Sequence, residues 1–525
     1  AEEPNRCPRG SDGAEPARAV GNHTLWPYVR CLWAAGAGPG EGAAALGEVT
    51  VPRGSALGVR ATLARRLLGL DDAAGCGGGG ARVEVRVVER RELGPGEHTL
   101  VVRAAGGGGV AVTVEASGRA GAVYALHTLA QLVERQGAGG CGARLGVRLP
   151  VFAWDAPRWP YRGFLVDSAR NKLSVPFLRR VLGAASALKL NYVHWHLTDD
   201  RSVALPLRAL PKAHRAVSYT RSEVSAVVRH AEELGIGIVL EVDVPGHAGA
   251  WLPYVADCPR RTKQVGEPWG LPLDFEHPKL AKMLRDVVSE ARELVPGEVL
   301  HMGGDEPDML CWQEHNSAKL RGQGPAEPLP GFERLLQEEV LAPLGVNASY
   351  VVRWDDVLER GHGTIPLETV IEAWHGRAKL REALERGHRA IFAHGFYFNQ
   401  APEDCLTWSD CYQNSPAREV DPSHVEAGRV LGGEASSWEL PEAKFATRVW
   451  GKLVAASERL WAEPEECEWL GTLRRLNATL GRLHETLGVD VDRESPAWMD
   501  DGGWCPKNPR CSGDPREKES CRMRR

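Results

Sequence analysis

The spacing of hydrophobic and polar positions divides the chain into two stretches with different rhythms. Over roughly the first 155 residues, short segments alternate apolar and charged side chains, which is the pattern of strands with one buried face. A segment with apolar residues at helical spacing, 119–134, follows them. We therefore predict a small, non-catalytic α+β domain over residues 1–155, with loops at the glycine-rich stretches 36–47 and 77–80. The alternating segments are 82–87, 99–103 and 110–115.

From Tyr161 onward, short continuous apolar segments alternate with amphipathic ones. Continuous apolar strands are typical of parallel sheets that helices cover. Eight such strands, most of them followed by a helix, predict a (β/α)8 barrel over residues 156–495 rather than an open sheet. The predicted strands are 163–167, 191–196, 237–242, 298–302, 350–354, 369–373, 389–393 and 429–433; predicted helices include 175–188, 221–234, 278–294 and 332–341, with 447–461 as the last.

The remaining stretch, 496–525, is rich in proline, glycine and charged residues. It contains Cys505, Cys511 and Cys521. We expect a tail that is linked by disulfides or partly disordered.

Composition narrows the functional classes. With 43% hydrophobic and 25% charged residues, the chain has the make-up of an ordinary globular protein. Its net charge of −5 provides no electrostatic basis for binding nucleic acid or an acidic membrane surface. No apolar run approaches the roughly 20 residues that a membrane span requires.

Cysteines and glycosylation sequons indicate the compartment. The twelve Cys include no CxxC pair and no Cys/His cluster with zinc spacing. Sequons begin at Asn22, Asn347 and Asn477. Together these features favour an oxidising, secretory environment over a cytosolic protein with reduced thiols. Because the chain opens at Ala1-Glu2-Glu3-Pro4 without an apolar signal segment, we expect a mature lysosomal or secreted form.

In a barrel of this kind, reactive residues gather where strands end. Three predicted strands end in HWHLTDD, EVDVPGHA and HMGGDE, and later strand ends bring aromatic residues. Any single Trp is best explained by core packing, but four aromatics at four successive strand ends resemble the walls against which a sugar packs. The aromatic residues are Trp354, Trp374, Tyr397 and Trp438.

The central feature is the pair Asp305-Glu306, which follows Gly303-Gly304 after an apolar strand. Two carboxylates this close resist simultaneous ionisation, so one can stay protonated near neutral pH, as a departing glycosidic oxygen requires. The alternatives are a metal site or a helix cap. A divalent metal would need further ligands in the same sequence neighbourhood, where none is evident. A cap uses one acid and does not require two glycines.

These motifs resemble glycoside hydrolase family 20, the β-N-acetylhexosaminidases, and most of all the animal lysosomal hexosaminidase branch. The segments that match in order are YRGFLVDSARN, LNYVHWHLTDD, EVDVPGHA, LHMGGDE, RWDDV and VLGGEASSW, and the resemblance extends over about residues 80 to 465. It implies substrate-assisted catalysis, in which the 2-acetamido carbonyl of the substrate is the nucleophile, and it implies neither a cofactor nor a metal.

The resemblance also assigns roles to residues of the barrel mouth. Glu306 is expected to protonate the leaving oxygen and then activate water, and Asp305 to accept the acetamido N–H. Tyr397 is expected to donate to the carbonyl oxygen, with Trp354, Trp374 and Trp438 around the acetyl group. His247, with Asp200 or Asp199, is expected to tune Glu306 through hydrogen bonds.

The sugar hydroxyls are assigned to Arg162, Asn399 and Glu439 on the same grounds. The family usually places its Glu two positions after the last Trp, whereas here Glu439 follows Trp438 directly, so either the loop shifts or the contact is missing. Arg201 and Val203 stand where Gln and an aromatic are usual. Gln400, where one mammalian subunit type has Arg, favours uncharged substrates.

The resemblance further implies a disulfide between Cys258 and Cys311. The function expected is that of an exo-β-N-acetylhexosaminidase acting on terminal GlcNAc or GalNAc of glycoconjugates, in a homodimer or heterodimer. Two alternatives stay open: a chitobiase-like or lacto-N-biosidase-like hydrolase of the same fold, and a carbohydrate-binding pseudoenzyme.

Overall fold

A computed structural model describes residues 25, 29–34, 46–52, 56–68, 81–134, 143–211, 218–256, 258, 270–317, 328–360, 365–398, 405–462 and 469–491. The stretch 496–525, Asn22 and Asn399 lie outside these ranges, as do most of the predicted glycine-rich loops. Across the described ranges, no helix combines the length and apolar character needed to cross a lipid bilayer.

A six-stranded mixed sheet occupies the first part of the chain. Its central strands have the alternating burial that the sequence predicted, and the helix Arg119–Gln131 packs on one face. The expected loop at 36–47 is wrong at its end, because Leu46 and Gly47 begin an edge strand. The strands are β1 (Cys31–Ala34), β2 (Leu46–Thr50), β3 (Ala81–Glu89), β4 (His98–Ala104), β5 (Val110–Ala116) and β8 (Val151–Asp155), in the order β1-β8-β4-β5-β3-β2, and β6 (Val133–Glu134) pairs with β7 (Arg144–Leu145) as a separate hairpin.

Eight parallel strands then close into a barrel, which confirms the predicted (β/α)8 fold. The last strand pairs with the first along six residues, Gly432 to Ser437 against Tyr161 to Val166. The strands are β9 (Tyr161–Asp167), β10 (Tyr192–His196), β11 (Gly237–Glu241), β12 (Leu300–His301), β13 (Val351–Trp354), β14 (Val370–Ala373), β15 (Ala390–Phe392) and β16 (Val430–Ser437).

Helices surround the barrel with their apolar faces inward. The expectation that the last helix ends at Trp461 is wrong, because a further helix, Trp469–Leu487, buries Leu476, Leu480 and Leu483. Their spacing of four and three residues is that of an amphipathic helix. The helices are α1 (Ala61–Leu67), α2 (Arg119–Gln131), α3 (Val175–Ala187), α4 (Arg221–Glu233), α5 (Leu280–Leu294), α6 (Met309–Ser317), α7 (Pro328–Arg334) continued by a π-helical stretch (Leu335–Leu341), α8 (Asp356–Arg360), α9 (Arg377–Glu385), α10 (Trp408–Gln413), α11 (Pro422–Glu426), α12 (Phe445–Arg448), α13 (Trp450–Trp461) and α14 (Trp469–Leu487).

The barrel interior is built in three layers. The floor is apolar and includes Val239, Val352, Val370 and Ile391. The top layer is mainly aromatic and is described below. Between them lies a buried polar layer, the ionic layer, which the reading of these strands as continuously apolar did not foresee; it comprises His194, Glu241, His301, Glu372 and Glu434.

Close contacts hold the ionic layer together. The two ring nitrogens of His194 lie 2.8 Å from Glu434 and 3.1 Å from Glu241, and the Tyr161 hydroxyl donates to Glu434 at 2.5 Å. Gly163 leaves the room that this requires, since a Cβ there would lie 2.4 Å from the Glu434 carboxylate.

The titratable groups of this layer respond differently to burial. Burial alone would lower the pKa of His194, but the Glu434 and Glu241 carboxylates raise it well above its usual value. Burial lowers the pKa of His301 to about 4 and raises that of Glu372 well above its usual range, so it favours the neutral form of both. The layer therefore pairs buried charges and keeps its remaining groups uncharged, as a low-dielectric interior requires.

Candidate active site

The carboxyl end of the barrel collects the residues that the motifs singled out. After β12, Gly303 and Gly304 take positive φ values of 53° and 113°, and Glu306 itself has φ 42°. A Cβ at Gly303 would lie 1.7 Å from Asp243, so only glycine permits this turn. The turn directs Asp305 and Glu306 toward the barrel mouth, where the Glu306 side chain is 38% exposed.

His247 lies between two pairs of acids. Its Nε2 is 3.5 Å from both Asp305 and Glu306, and its Nδ1 is 3.4 Å from Asp199 and 3.3 Å from Asp200. Like Glu306, His247 has a left-handed backbone, with φ 50°. The structure thus brings together five residues that the sequence had placed at three different strand ends.

Charge in this cluster centres on the imidazole. Burial opposes the charged form of His247, but Asp305 and hydrogen bonds with Asp199 and Asp200 raise its pKa well above its usual value. Burial raises the pKa of Asp305 to about 6 against the opposing charge of His247. The carboxyl of Asp243, beneath Asp305, also has a strongly raised pKa, through burial and the proximity of Asp305.

The alternative of a metal site has to be weighed against this charge state. The fold brings Asp243 and His247 to Asp305, with ligand atoms within 4.8 Å of one another, although the sequence neighbourhood had offered no such partners. Both ring nitrogens of His247 already face carboxylates, Nε2 toward Asp305 and Glu306 and Nδ1 toward Asp199 and Asp200. The cluster is better suited to holding and moving protons.

The two aspartates after β10 differ in their partners. Asp199 forms an ion pair with Arg170 at 2.7 Å. Burial would raise the pKa of Asp199, but hydrogen bonds from His196 and His247 lower it below the usual value. Asp200 instead accepts the backbone N–H groups of Gly249, Gly270 and Leu271. Asp200 therefore fixes the loops around His247 as well as contacting its ring.

Four aromatic side chains stand at the ends of β13 to β16, as predicted. The Trp354 and Trp438 ring centroids are 5.9 Å apart, and Trp374 stacks parallel to Tyr397 at 6.3 Å with an interplanar angle of 19°. The Trp354 indole donates to Glu241 at 2.9 Å, which ties this wall to the ionic layer below. These rings and Leu165 form the apolar side of the pocket.

Arg162 does not join this cluster. It is buried at the amino-terminal end of β9, where its guanidinium donates to the carbonyl oxygens of Trp159 and Lys189 and lies 5.0 Å from the Trp461 ring. A side chain at the start of a parallel strand faces the opposite end of the barrel from the βα loops. The placement contradicts the expectation that Arg162 holds sugar hydroxyls.

Arg170, which the sequence analysis missed, lies at the correct end. It follows Asp167, the last residue of β9, and its guanidinium contacts Asp167 at 3.1 Å and Glu439 at 3.7 Å besides Asp199. It also lies 5.3 Å from the Trp438 ring. The strand-end rule applied to β9 as to the other strands would have identified it.

Glu439 reaches the same corner through a left-handed backbone with φ 56°. Its N–H donates to Asp167 at 3.1 Å and its side chain, 41% exposed, faces Arg170. The loop therefore shifts so that the acid directly after Trp438 lies at the pocket. Asn399 and Gln400 lie outside the described residues.

The two aspartates of the RWDDV motif lie beside the pocket. Asp355 accepts the backbone N–H groups of Trp374 and His375 and the His375 ring. Asp356 accepts the backbone N–H of Glu306 at 3.1 Å and the Trp374 indole N–H at 2.8 Å. With His375 they form a further group of ligand-type atoms, but these atoms are already engaged with each other and with the backbone.

A disulfide joins Cys258 to Cys311, the pairing that the resemblance implied. Cys258 follows the His247 loop and Cys311 lies in α6, just after Glu306, so the bridge links two loops of the site. A second disulfide, Cys405–Cys411, closes the loop into α10 and was not predicted.

Both sequence relatives and solved structures are similar to this chain. Sequence relatives include beta-hexosaminidase subunit A1 of Dictyostelium discoideum, 28% identical over 59% of this chain and 60% of its own length, and beta-hexosaminidase subunit beta of Felis catus, 27% identical over 60% and 62%. The chain thus spans about three-fifths of each of these relatives.

Among solved structures, the Flavobacterium johnsoniae chitobiase superposes with a TM-score of 0.71 at 24% identity, over 89% of this chain and 73% of its own. A Vibrio harveyi exo-β-N-acetylglucosaminidase superposes with a TM-score of 0.73 at 22% identity, over 91% and 80%. These structures agree with the barrel fold. The model of the glycosyl hydrolase family 20 catalytic domain matches residues 159–464, more than half of the chain. The chain belongs to glycosyl hydrolase family 20.

Proposed function

We propose that the protein is an exo-β-N-acetylhexosaminidase that retains configuration and uses the substrate's own acetamido group as nucleophile. The observation that carries the proposal is the shared contact of Asp305 and Glu306 with one atom, Nε2 of His247. Two carboxylates on one side of the pocket are poorly placed to flank a glycosidic bond as acid and nucleophile. Opposite them stand aromatic rings suited to an acetamido group.

In the first step, the acetamido carbonyl oxygen attacks C1 while the bond from C1 to the leaving oxygen breaks. Glu306 gives its proton to that oxygen, and Asp305 accepts a hydrogen bond from the acetamido N–H as positive charge develops. Tyr397 donates to the carbonyl oxygen. In the second step, water attacks C1, the ring oxygen of the cyclised group leaves C1, and Glu306 takes the proton from water.

The pocket walls and floor support these roles. Trp354, Trp374 and Trp438 surround the acetyl group and exclude water. Arg170 and Glu439, together at the rim, are proposed to bind the sugar hydroxyls in place of Arg162. Asn399 is retained as a hydroxyl-binding candidate on resemblance alone. His247, which Asp199 and Asp200 hold in place, orients Glu306.

We further propose a lysosomal or secreted glycoprotein that acts as a dimer. Asn347 and Asn477 are exposed, as glycosylation requires, and two disulfides suit an oxidising compartment. The catalytic unit is proposed as residues 156–495, with 1–155 as a non-catalytic unit and 496–525 as a tail.

Release of p-nitrophenol from the N-acetyl-β-glucosaminide, the N-acetyl-β-galactosaminide and the plain β-glucoside tests the function. Hydrolysis of the first two but not the third supports it. Binding of N-acetylglucosamine without hydrolysis would instead indicate a carbohydrate-binding pseudoenzyme. Release of intact disaccharides rather than single sugars from longer glycans would indicate a lacto-N-biosidase.

A further inference from the structure

Asp356 connects two parts of the pocket that are far apart in sequence. It lies two residues after Trp354, begins α8, and is only 5% exposed. Its two carboxylate oxygens have different partners: Oδ1 accepts the backbone N–H of Glu306, and Oδ2 accepts the indole N–H of Trp374. One buried side chain thus contacts both the acid residue and a wall of the acetamido pocket.

The backbone at Glu306 needs such a contact. With φ 42°, Glu306 is a non-glycine residue in the left-handed region, a conformation that costs on the order of 1–2 kcal/mol. It follows Gly303 and Gly304, both with positive φ, so the turn does not by itself favour one position for the side chain. A hydrogen bond to a carboxylate is stronger than one between neutral groups, so Asp356 can hold this N–H in place.

Trp374 is held in the same way. Its ring centroid lies 6.3 Å from that of Tyr397, with the two rings nearly parallel, and 3.8 Å from that of the His375 ring. These contacts limit tilt, while the indole N–H bond to Asp356 sets rotation within the ring plane. The position of Glu306 relative to Trp374 therefore depends on the two oxygens of the Asp356 carboxylate.

We propose that Asp356 is a positioning residue that fixes the general acid Glu306 relative to the acetamido wall Trp374. The inference rests on the proposed function. The neighbouring Asp355 serves as the comparison, because its carboxylate contacts Trp374 N–H, His375 N–H and the His375 ring, all on the wall side. The two aspartates are adjacent and both buried, but of the two only Asp356 bonds to Glu306.

The test compares Asp356→Asn with Asp355→Asn on a series of aryl N-acetyl-β-glucosaminides whose leaving phenols span several pKa values. Asn presents one oxygen and one NH2 group, so Asp356→Asn loses one of the two acceptors. A misplaced acid hurts poor leaving groups most. We expect kcat to fall about 10- to 100-fold, and the dependence of kcat/KM on leaving-group pKa to steepen.

Asp355→Asn should raise KM and weaken inhibition by a thiazoline mimic without changing that dependence. Equal leaving-group dependence in Asp356→Asn and wild type would overturn the proposal, as would equal steepening in both variants. If Asp356→Asn does not fold, Asp356→Glu keeps both acceptor oxygens but displaces them, and the same steepening is expected.

A readout without activity separates this inference from the proposed function. The indole N–H resonance of Trp374, assigned from its absence in Trp374→Phe, should shift more in Asp356→Asn than in Asp355→Asn, because this N–H donates to Asp356. An inactive wild-type protein would contradict the proposed function and leave this measurement intact. An unshifted Trp374 resonance in Asp356→Asn would contradict the positioning role even if the wild type is fully active.

Discussion

Nε2 of His247 lies 3.5 Å from Oε2 of Glu306 at the mouth of the barrel, while the other ring nitrogen faces a pair of aspartates. The imidazole is buried, and Asp305 together with hydrogen bonds to Asp199 and Asp200 raises its pKa well above the usual value. The acid therefore contacts a ring whose own position is set by Asp199 and Asp200. This arrangement lets Glu306 change its protonation state without losing its orientation.

Replacing Glu306 with Gln removes the proton donor and keeps the shape. We expect kcat on natural glycosides to fall at least about 10²-fold, the usual scale for a general acid. Aryl glycosides with good leaving groups should lose less in the first step, because they need little protonation. Steady-state kinetics check this, with Glu419→Gln, an exposed residue on the outer surface, as the control. Near-wild-type turnover of natural glycosides by Glu306→Gln would refute the assignment.

Substrate assistance predicts a distinct pattern of inhibition and mutation. A thiazoline mimic of the cyclised intermediate should bind far more tightly than the product sugar, because it resembles the state that the site stabilises. Tyr397→Phe should lower kcat by roughly 10²-fold with a smaller change in KM, since its hydrogen bond matters most as the carbonyl attacks. Mass-spectrometric detection of a glycosyl ester on any Asp or Glu would contradict the mechanism.

Arg162, in the first barrel strand, and Arg170, just after that strand, should differ in their effect on substrate binding. Arg170→Ala should raise KM and lower kcat/KM on sugar substrates, because it removes a cation from the pocket rim. Arg162→Met should instead destabilise the fold by about 1–3 kcal/mol, since two buried carbonyls lose their donor. Urea unfolding and kinetics of the folded enzyme distinguish the two effects. A large KM change in Arg162→Met at unchanged stability would show instead that Arg162 binds the substrate.

The Cys258–Cys311 bridge links the His247 loop to α6 across 53 residues. Peptide mapping without reduction should recover the two cysteines as one linked pair. The double variant Cys258→Ala/Cys311→Ala should lose about 2–4 kcal/mol of stability, the usual range for a native disulfide. A linked pair elsewhere, or no loss of stability, would count against the role assigned to this bridge.

A buried histidine should make the fold sensitive to acid. His127 faces Ser186 at 3.0 Å, and burial, with the nearby Lys189 charge, lowers its pKa to about 3. In the unfolded chain His127 binds a proton near pH 6.5, whereas in the folded chain it stays neutral down to about pH 3. The free energy of unfolding therefore decreases as pH falls from about 6.5 to about 3.

Between pH 7 and pH 5, His127→Gln should reduce this loss by on the order of 1–2 kcal/mol. Urea unfolding at both pH values checks the prediction, and the exposed His484 provides a control substitution. An identical pH dependence in His127→Gln and wild type would exclude His127 as a source of the effect.

The barrel could be predicted from sequence because each strand is recognisable from its own residues, as a short apolar run before a turn. All eight strands are present, with the fourth reduced to Leu300–His301 and the last extended to Ser437. The pairing of β16 with β9 joins residues more than 250 positions apart, and it followed only from counting strands.

The errors have physical causes. Arg162 was assigned from its motif although it begins a strand, and the end of a strand on which a residue stands decides which mouth of the barrel it faces. Asp356 and the ionic layer could not be recognised, because their partners come from other strands and local pattern carries no trace of them. The helix Trp469–Leu487 did carry its signal in the spacing of Leu476, Leu480 and Leu483.

The ionic layer constrains how sequences of this architecture can diverge. Its imidazoles and carboxylates are hydrogen-bonded to one another, so replacing one group leaves a buried charge without its partner. That change destabilises the fold by about 3–5 kcal/mol. That loss is a large part of the roughly 5–15 kcal/mol by which folded proteins are stable. Among proteins of this architecture, substitutions at His194, Glu241 and Glu434 are therefore expected to occur together or not at all.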